Sequence, residues 1–490
     1  MKRIESFFKL DKMFLLILIL VATTNFVFAI SHEYWRDETQ AWLIAKDCSL
    51  TSNSIFTVTS YEGHPFLWFL LLMPFAKAGI NVGILKFITW SIQVATLAIF
   101  LYKTKIPILL KVALSFTPAF IYFYVVPARS YALAAMLTIC ITVLYNERKQ
   151  HPILYGIFLS LLLQTLIIMA GFVIALSFFW FVETVIELFS GKRRGIIWQI
   201  AGMAIVLVNA LFLLWEFRFT TIGGGEKNSL IEIAVKLADE LVLGFNKLFG
   251  KYGLVELVIV LLFLVASFWL NKRSRVELSI FILSILWQIY IYAFIYYNEN
   301  HRVITWIYLL LFLFNAFYSK GFKKKYVRVL ADGVLWIIVL LSWNYEYNYL
   351  PLKDVETNKV FSYGKEIADV INQLPDGEVV LSLCPDRDSA VVAQVDDDHE
   401  VINPNTWDKA TFANRNGDQY MWFGIDELYE RIRSHYPRKK SVYAIVSSEA
   451  SNVIGMNEYV TEYHDDFTIY YETKHNSIMD DYYLVKLLIR

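Results

Sequence analysis

The chain has 490 residues, of which 57% are hydrophobic, and its mean hydropathy of +0.46 excludes an ordinary soluble protein of this length. The 45 basic and 45 acidic residues give a formal net charge of zero, so bulk charge indicates neither nucleic acid nor an acidic partner. Cys48, Cys140 and Cys384 are far apart and lack metal-ligand spacing, which argues against a disulfide framework and a cysteine metal site.

Long apolar runs in the first 350 positions predict membrane spans, because about 20 helical residues cross a hydrocarbon core of about 30 Å. The first run, Met13–Ile30, carries no charge. The basic residues that precede this run also fit a cleaved signal peptide. The many later apolar runs favour an uncleaved first helix instead. Ten further runs, which bring the total to about eleven, cover 82–102, 106–126, 130–146, 153–170, 172–190, 196–215, 253–270, 277–297, 303–318 and 330–349.

Basic clusters between these runs predict the topology, because cytoplasmic loops carry an excess of Lys and Arg. With a cytoplasmic N-terminus, all the clusters fall inside. The segments that fall outside are the first loop, the loop at 216–252, Asn298–Arg302 and the C-terminal region. The run Pro65–Ala78 is too short to span and would invert this pattern, so it predicts an interfacial or re-entrant helix. The clusters are Lys103/Lys105, Arg148/Lys149, Lys192–Arg194, Lys272–Arg275 and Lys320–Arg328.

Residues 351–490 have the composition of a soluble domain. Apolar spacing predicts a helix at Lys359–Leu374 and strands at Val379–Leu383, Val442–Val446, Phe467–Tyr471 and Tyr482–Ile489. The predicted fold class is therefore a polytopic α-helical membrane protein with a C-terminal α/β domain. We expect a transmembrane domain at 1–350, with its first outer loop at 31–81, and an extracytoplasmic domain at 351–490.

A polar insert, His32–Gln40, follows the first predicted span and carries the adjacent carboxylates Asp37 and Glu38. Ionisable groups at the mouth of a span are costly and therefore functional candidates, although a solvated acidic loop is the alternative. A carboxylate can deprotonate an acceptor, and Arg or His can hold an anion, which is the chemistry of transfer from a phosphate leaving group. Further candidates on the predicted outer side are Arg36, Asp47, Glu62, His64, Arg129, His301 and Arg302.

The segment Tyr34–Asp47, followed by Glu62-Gly63-His64-Pro65, resembles the first outer loop of the GT-C glycosyltransferases. In particular it resembles the rhizobial core glycosyltransferases, protein mannosyltransferases and aminoarabinose transferases, and the resemblance covers about residues 13–320. It implies that Asp37 is the catalytic acidic residue and Glu38 its neighbour. It also implies that Arg129, His301 and Arg302 hold the lipid phosphate. Unlike the common family pattern, a single proline follows His64, and His precedes Arg at 301–302.

The resemblance implies an inverting hexosyl- or pentosyltransferase of the plasma membrane. Its expected partners are a polyprenyl-phosphate sugar donor, a glycan, lipid or protein acceptor and membrane lipids, but no nucleic acid. The sequence indicates no metal site and leaves the cofactor unknown. Asp396–Glu400 could bind a divalent cation but better fits a solvated turn. Ile222–Lys227 lacks the Gly-Lys-Ser/Thr ending of a phosphate loop.

Two other functions stay open from the sequence. One is a polytopic transporter or flippase for lipid-linked sugars, although no internal repeat of the kind common in transporters is visible. The other is a membrane sensor or assembly protein whose outer domain binds a ligand. A cytoplasmic effector domain would favour this second alternative, and the sequence indicates none.

Overall fold

The computed structural model describes residues 2–51, 54–191, 195–218, 230–270, 274–295, 298–322, 324–349, 360–413, 421–448, 451–462 and 465–489. The basic cluster at 192–194, residues 272–273 and 323 of two others, and the glycine-rich segment 222–227 lie outside these ranges. The chain forms two compact units. Unit 1 comprises Met1–Ala29, Gly63–Leu67 and Lys86–Leu352, and unit 2 comprises Ile30–Glu62, Trp68–Leu85 and Lys353–Arg490.

Helices dominate the chain as far as residue 349. They are α1 (Lys2–Ser31), α2 (Arg36–Asp47), α3 (Ile55–Glu62), α4 (Leu67–Lys77), α5 (Ile84–Lys103), α6 (Ile108–Ser115), α7 (Pro118–Ile121), α8 (Tyr131–Leu144), α9 (Pro152–Leu163), α10 (Ala170–Phe189), α11 (Ile196–Glu216), α12 (Leu230–Phe249), α13 (Gly253–Leu270), α14 (Arg275–Phe294), α15 (Asn300–Val303), α16 (Thr305–Lys320) and α17 (Lys325–Tyr349). Short 3-10 turns lie at Tyr145–Glu147, Ile167–Met169 and Gly250–Tyr252.

Within the described ranges, 8 helical stretches are long and apolar enough to cross a membrane. Each overlaps a predicted span, which confirms the polytopic helical class. They are Asp11–Ser31, Ile84–Lys103, Ile167–Phe189, Ile196–Glu216, Ile231–Trp269, Arg275–Phe294, Asn300–Lys320 and Lys325–Asn344. The segment 216–252 contains the helix α12, which the sequence did not predict, and its placement outside stays a prediction.

The remaining predicted spans correspond to helices of 17 residues or fewer. Those at 130–146 and 153–170 correspond to Tyr131–Glu147 and Pro152–Leu163. The one at 106–126 divides into α6 and α7, because Pro118 begins a new helix and Thr117 before it is extended, with φ −83 and ψ 157. The apolar helix α4 has 11 residues, and its interfacial or re-entrant placement stays a prediction.

The C-terminal part of unit 2 is an α/β fold, as predicted. Its strands are β1 (Val380–Ser382), β2 (Val401–Ile402), β3 (Phe423–Gly424), β4 (Ser441–Ser447), β5 (Val453–Ile454), β6 (Phe467–Glu472) and β7 (Tyr482–Leu488), and its helices are α18 (Gly364–Ile371), α19 (Pro385–Val392), α20 (Ile425–His435) and α21 (Met456–Thr461). One sheet has the order β2-β1-β4-β7-β6, with β7 antiparallel to β4 and β6 and the other pairs parallel. Strands β3 and β5 form a separate parallel pair.

Both faces of the larger sheet are covered, because successive strand residues point to opposite sides. Leu381 and Ala444 pack in one apolar cluster with Leu428 of α20. Val380 and Tyr443 belong to a second cluster, to which α18 contributes Ile367, Ala368 and Ile371. This two-sided core gives the domain a rigid base on which side chains of unit 2 can be positioned.

Helix α2 of the first loop packs on the C-terminal part of unit 2. The Gln40 amide donates to the Ala413 carbonyl at 2.9 Å and accepts the Ala413 N–H at 2.8 Å. Arg36 Nη1 donates to Asp386 Oδ2 of α19 at 3.1 Å, and Ser389 Oγ donates to the Arg36 carbonyl at 3.3 Å. Most of the first loop and the region after residue 352 therefore belong to one compact unit. That the transmembrane domain ends at residue 350 stays a prediction.

Candidate active site

The carboxylates Asp37 and Glu38 lie in the first turn of α2. The preceding residue, Trp35, is extended, with φ −104 and ψ 170, so the helix begins at Arg36. Acidic side chains are favourable at this position because the helix dipole is positive at the N-terminus. The side chain of Asp37 is 30% exposed, whereas that of Glu38 is fully buried. Of the two neighbours, Asp37 is therefore the one that an acceptor can reach.

Glu38 holds the start of the helix. Its Oε2 accepts the backbone N–H of Trp35 at 3.2 Å, which is one half of a capping box. The same oxygen lies 2.8 Å from Nε2 of His32, whose side chain is also fully buried. The ring of Phe361 packs 4.6 Å from the His32 ring. These contacts give Glu38 a positioning role. The sequence did not indicate His32 as a partner of Glu38, because the spacing between the two residues follows no helical period.

Arg36 lies between two carboxylates. Its Nε is 3.7 Å from Asp37 Oδ1, and its Nη1 donates to Asp386 at 3.1 Å. All three side chains are about one quarter to one third exposed. The guanidinium therefore orients the Asp37 carboxylate without removing it from solvent. No sequence signal pointed to Asp386, because it follows Arg36 by 350 residues.

The other first-loop candidates occupy separate places. Glu62 Oε1 accepts a hydrogen bond from Gln40 Nε2 at 3.0 Å, so it supports α2. Asp47 is the last residue of α2, ten residues after Asp37, which corresponds to about 15 Å along the helix axis. Burial raises the pKa of Asp47, while Lys46, Lys77 and Lys409 oppose that rise. The structure therefore does not bring Asp47 together with Asp37.

In unit 1, three basic side chains meet at Arg129. Its Nη1 lies 3.2 Å from His301 Nε2, and its Nη2 lies 3.4 Å from His64 Nε2. Because a guanidinium carries only donors, both imidazoles present an Nε2 lone pair to it. Tyr131 packs against the cluster, with its ring 5.4 Å from the guanidinium carbon and 5.2 Å from the His301 ring. A cluster of this composition suits an anion.

The segment before α16 carries Arg302 and is tied to α12. The ammonium of Lys247 donates to the Asn298 carbonyl and lies 3.3 Å from Glu299 Oε2. The Arg302 carbonyl accepts a hydrogen bond from Thr305 Oγ1 at 2.8 Å. These bonds position α15, which carries His301 and Arg302, while a contact of the Arg302 side chain with phosphate stays a prediction.

Unit 1 also contains an apolar cavity of about 350 Å³. Side chains of α12, α13, α14 and α16 line it, and all of them are apolar. Trp306 and Leu310 belong to this lining and follow His301 along the chain. A Cβ at Gly244 would lie 2.4 Å from the Trp306 ring, so glycine is needed for the close approach of α12. The cavity has the chemistry of a site for a hydrocarbon chain.

Metal-binding residues are not grouped in the part of the chain that the structure describes. No set of three or more His, Cys, Asp or Glu side chains there could hold a metal ion. In the acidic segment 396–400, Asp397 Oδ1 accepts a hydrogen bond from Lys46 at 3.2 Å, and this lysine lowers the pKa of Asp397. His399 Nε2 lies 3.0 Å from the Leu374 carbonyl.

The chain was compared with family models, with curated proteins and with solved structures. No family model matches the chain, and no curated protein matches it. Among solved structures, the chain is similar to the oligosaccharyltransferase of Archaeoglobus fulgidus in its apo form. The two are 11% identical, the match covers 91% of this chain and 72% of that chain, and the TM-score is 0.44.

Proposed function

We propose that the protein is an inverting membrane glycosyltransferase of the GT-C type. It takes a hexose or pentose from a polyprenyl-phosphate donor and passes it to a hydroxyl of a glycan, lipid or protein on the extracytoplasmic face. The observation that carries this proposal is the meeting of Arg129, His64 and His301 in the helical unit. A basic cluster in a unit rich in candidate spans fits the phosphate of a lipid-linked substrate.

Arg129 is the main phosphate ligand in this proposal, with His301 and Arg302 beside it. A guanidinium binds phosphate through a planar fork and stabilises the charge that develops when the phosphate leaves. His64 joins this group because its Nε2 is 3.4 Å from the guanidinium. The apolar cavity between α12 and α16 supports a polyprenyl chain as the rest of the donor.

Asp37 is the general base. It accepts the proton of the acceptor hydroxyl while that oxygen forms a bond to the anomeric carbon of the donor sugar. The bond from this carbon to the phosphate oxygen breaks, and its electron pair leaves with the polyprenyl phosphate. Because attack comes from the side opposite the phosphate, the anomeric configuration inverts. Arg36 orients Asp37, and Glu38 fixes the helix turn that carries it.

Mass spectrometry of surface glycans tests the proposal. Cells that lack the protein should lose a sugar from a surface glycan, lipid or protein, and the wild-type chain should restore it. The Asp37→Asn chain, expressed at an equal level in the membrane, should not. Unchanged glycans in the deletion strain would contradict transfer to surface acceptors. Restoration by Asp37→Asn would contradict the assigned base and favour the transporter or sensor alternatives.

A further inference from the structure

A polar cavity lies within unit 2, at the end of α2 that is distant from Asp37. Its volume is about 120 Å³, and its polar lining consists of Lys46 and Asp47 from α2 and Asp397, His399, Lys409 and Thr411 from the C-terminal region. A water molecule needs about 10–15 Å³ on this measure, so the cavity has room for part of a sugar ring. The proposed transfer step does not use these residues.

The charges around the cavity are balanced. Lys46 and Lys409 are positive, Asp47 and Asp397 are negative, and Lys46 Nζ lies 3.2 Å from Asp397 Oδ1. This ion pair is at the rim, because the two side chains are 41% and 81% exposed. A site without net charge gives no electrostatic advantage to a phosphate or carboxylate, and Asp47 would repel either one.

His399 forms part of the cavity wall. Its Nε2 donates to the Leu374 carbonyl at 3.0 Å, and its side chain is only 9% exposed. Nδ1 is itself buried, so it is not one of the atoms that a ligand in the cavity contacts. The polar atoms available to a ligand are therefore those of the charged side chains around the cavity.

We propose that this cavity binds a neutral, hydroxyl-rich sugar residue, which belongs to the acceptor. Hydroxyl groups both donate and accept, so they match the ammonium donors of Lys46 and Lys409 and the carboxylate acceptors of Asp47 and Asp397. Valines in the same wall, among them Val395, suit the apolar C–H face of a sugar ring. The assignment to the acceptor rests on the proposed function, whereas sugar binding itself does not.

Saturation-transfer NMR on the full-length protein in lipid nanodiscs tests this inference. The probes are glucose, galactose, mannose, glucuronate and inorganic phosphate. We expect at least one neutral hexose to bind, and Lys409→Met to weaken its affinity at least tenfold. Lys365→Met is the matched control, because Lys365 is an exposed lysine of α18 paired with Asp369. Thermal unfolding of each variant verifies that unit 2 remains folded.

The outcomes separate sugar binding from transfer. Preference for glucuronate or phosphate, failure of all three hexoses to bind, or full binding by Lys409→Met would overturn the sugar site. Asp37→Asn should bind the hexose like the wild type, because α2 places it about 15 Å from Asp47 along the helix axis. If surface glycans are unchanged in the deletion strain while hexose binding depends on Lys409, the proposed function fails and the sugar site stands.

Discussion

The imidazole Nε2 of His32 lies 2.8 Å from Oε2 of Glu38, and neither side chain is exposed to solvent. Because the same oxygen also accepts the Trp35 N–H, Glu38 is committed to holding the start of α2. Its neighbour Asp37 is 30% exposed and lies beside Arg36. Two adjacent carboxylates of the same helical turn therefore have different roles, and substitutions can separate them.

Asp37→Asn should reduce transfer by about 10²–10⁴-fold, because the amide keeps the shape of the side chain but cannot act as a base. The measurement is the initial rate with a polyprenyl-phosphate sugar and purified protein in nanodiscs. Glu430→Gln, which changes an exposed carboxylate of α20, should keep the wild-type rate. Undiminished transfer by Asp37→Asn would remove this residue from the mechanism.

Glu38→Gln should affect stability more than chemistry. Loss of a charged hydrogen bond in a buried pair should lower the free energy of unfolding by about 1–3 kcal/mol. We expect a smaller loss of transfer rate than Asp37→Asn gives, because Gln can still accept the Trp35 N–H. A double-mutant cycle with His32→Asn, measured by chemical unfolding, should show a coupling of about 0.5–3 kcal/mol. Additive effects would mean that the two side chains do not interact.

Arg129→Ala should weaken donor use by about 10²–10³-fold in kcat/KM, because one preorganised charged donor is lost. Arg129→Lys should recover little, since an ammonium cannot contact both His64 and His301 as the guanidinium fork does. Kinetics at varied donor concentration provide the measurement. Arg328→Ala, at an exposed arginine of α17, is the control. Equal kcat/KM values for Arg129→Ala and wild type would exclude a phosphate-binding role.

We expect the free energy of unfolding of unit 2 to fall as the pH rises, because of the Asp388 carboxyl. Burial raises the pKa of this carboxyl from 3.8 to about 7, so the folded state favours the protonated form. The contribution of this carboxyl to the free energy of unfolding is greatest below pH 3.8. It falls by about 1.4 kcal/mol per pH unit as the pH rises from there and is lost at about pH 7. Chemical unfolding at pH 5 and pH 7 should show this loss, and Asp388→Asn should reduce it. The same pH dependence in both proteins would contradict the assignment.

The C-terminus should lie outside the cytoplasm. With a cytoplasmic N-terminus this requires an odd number of crossings, and the 8 longer helices give one when all three shorter segments, 108–121, Tyr131–Glu147 and Pro152–Leu163, also cross. Alkaline phosphatase and a cytoplasm-dependent fluorescent protein, each fused after Arg490, report the side. Phosphatase activity without fluorescence is expected. The reverse pair of results would overturn the predicted topology.

Sequence patterns predicted the elements well, because their signals are local. Uncharged runs such as Met13–Ile30 match candidate spans, and alternating apolar residues located β4 and β7 to within one residue at either end. The break at Pro118 within the predicted span 106–126 was missed, because the composition remains apolar on both sides of it. Hydrophobicity alone does not locate the start of a new helix.

The site was predicted only in part, because its contacts join distant segments. A common outer side was expected for His64, Arg129 and His301, but their meeting at one guanidinium had no local signal. The sequence also could not tell which member of the pair Asp37 and Glu38 is buried. Successive helical side chains point about 100° apart, so the answer depends on where α2 begins and what packs beside it.

The reciprocal hydrogen bonds between Gln40 and Ala413 also determine when the first loop can complete its folding during synthesis. The two residues are 373 positions apart, so at about 5–20 residues per second α2 leaves the ribosome roughly 20–75 s before its partner. During this interval the apolar side chains that α2 later buries have no partner from the C-terminal region. The first loop can therefore complete its docking only after residue 413 has been made, and a chain that stops earlier lacks the bonds between Gln40 and Ala413.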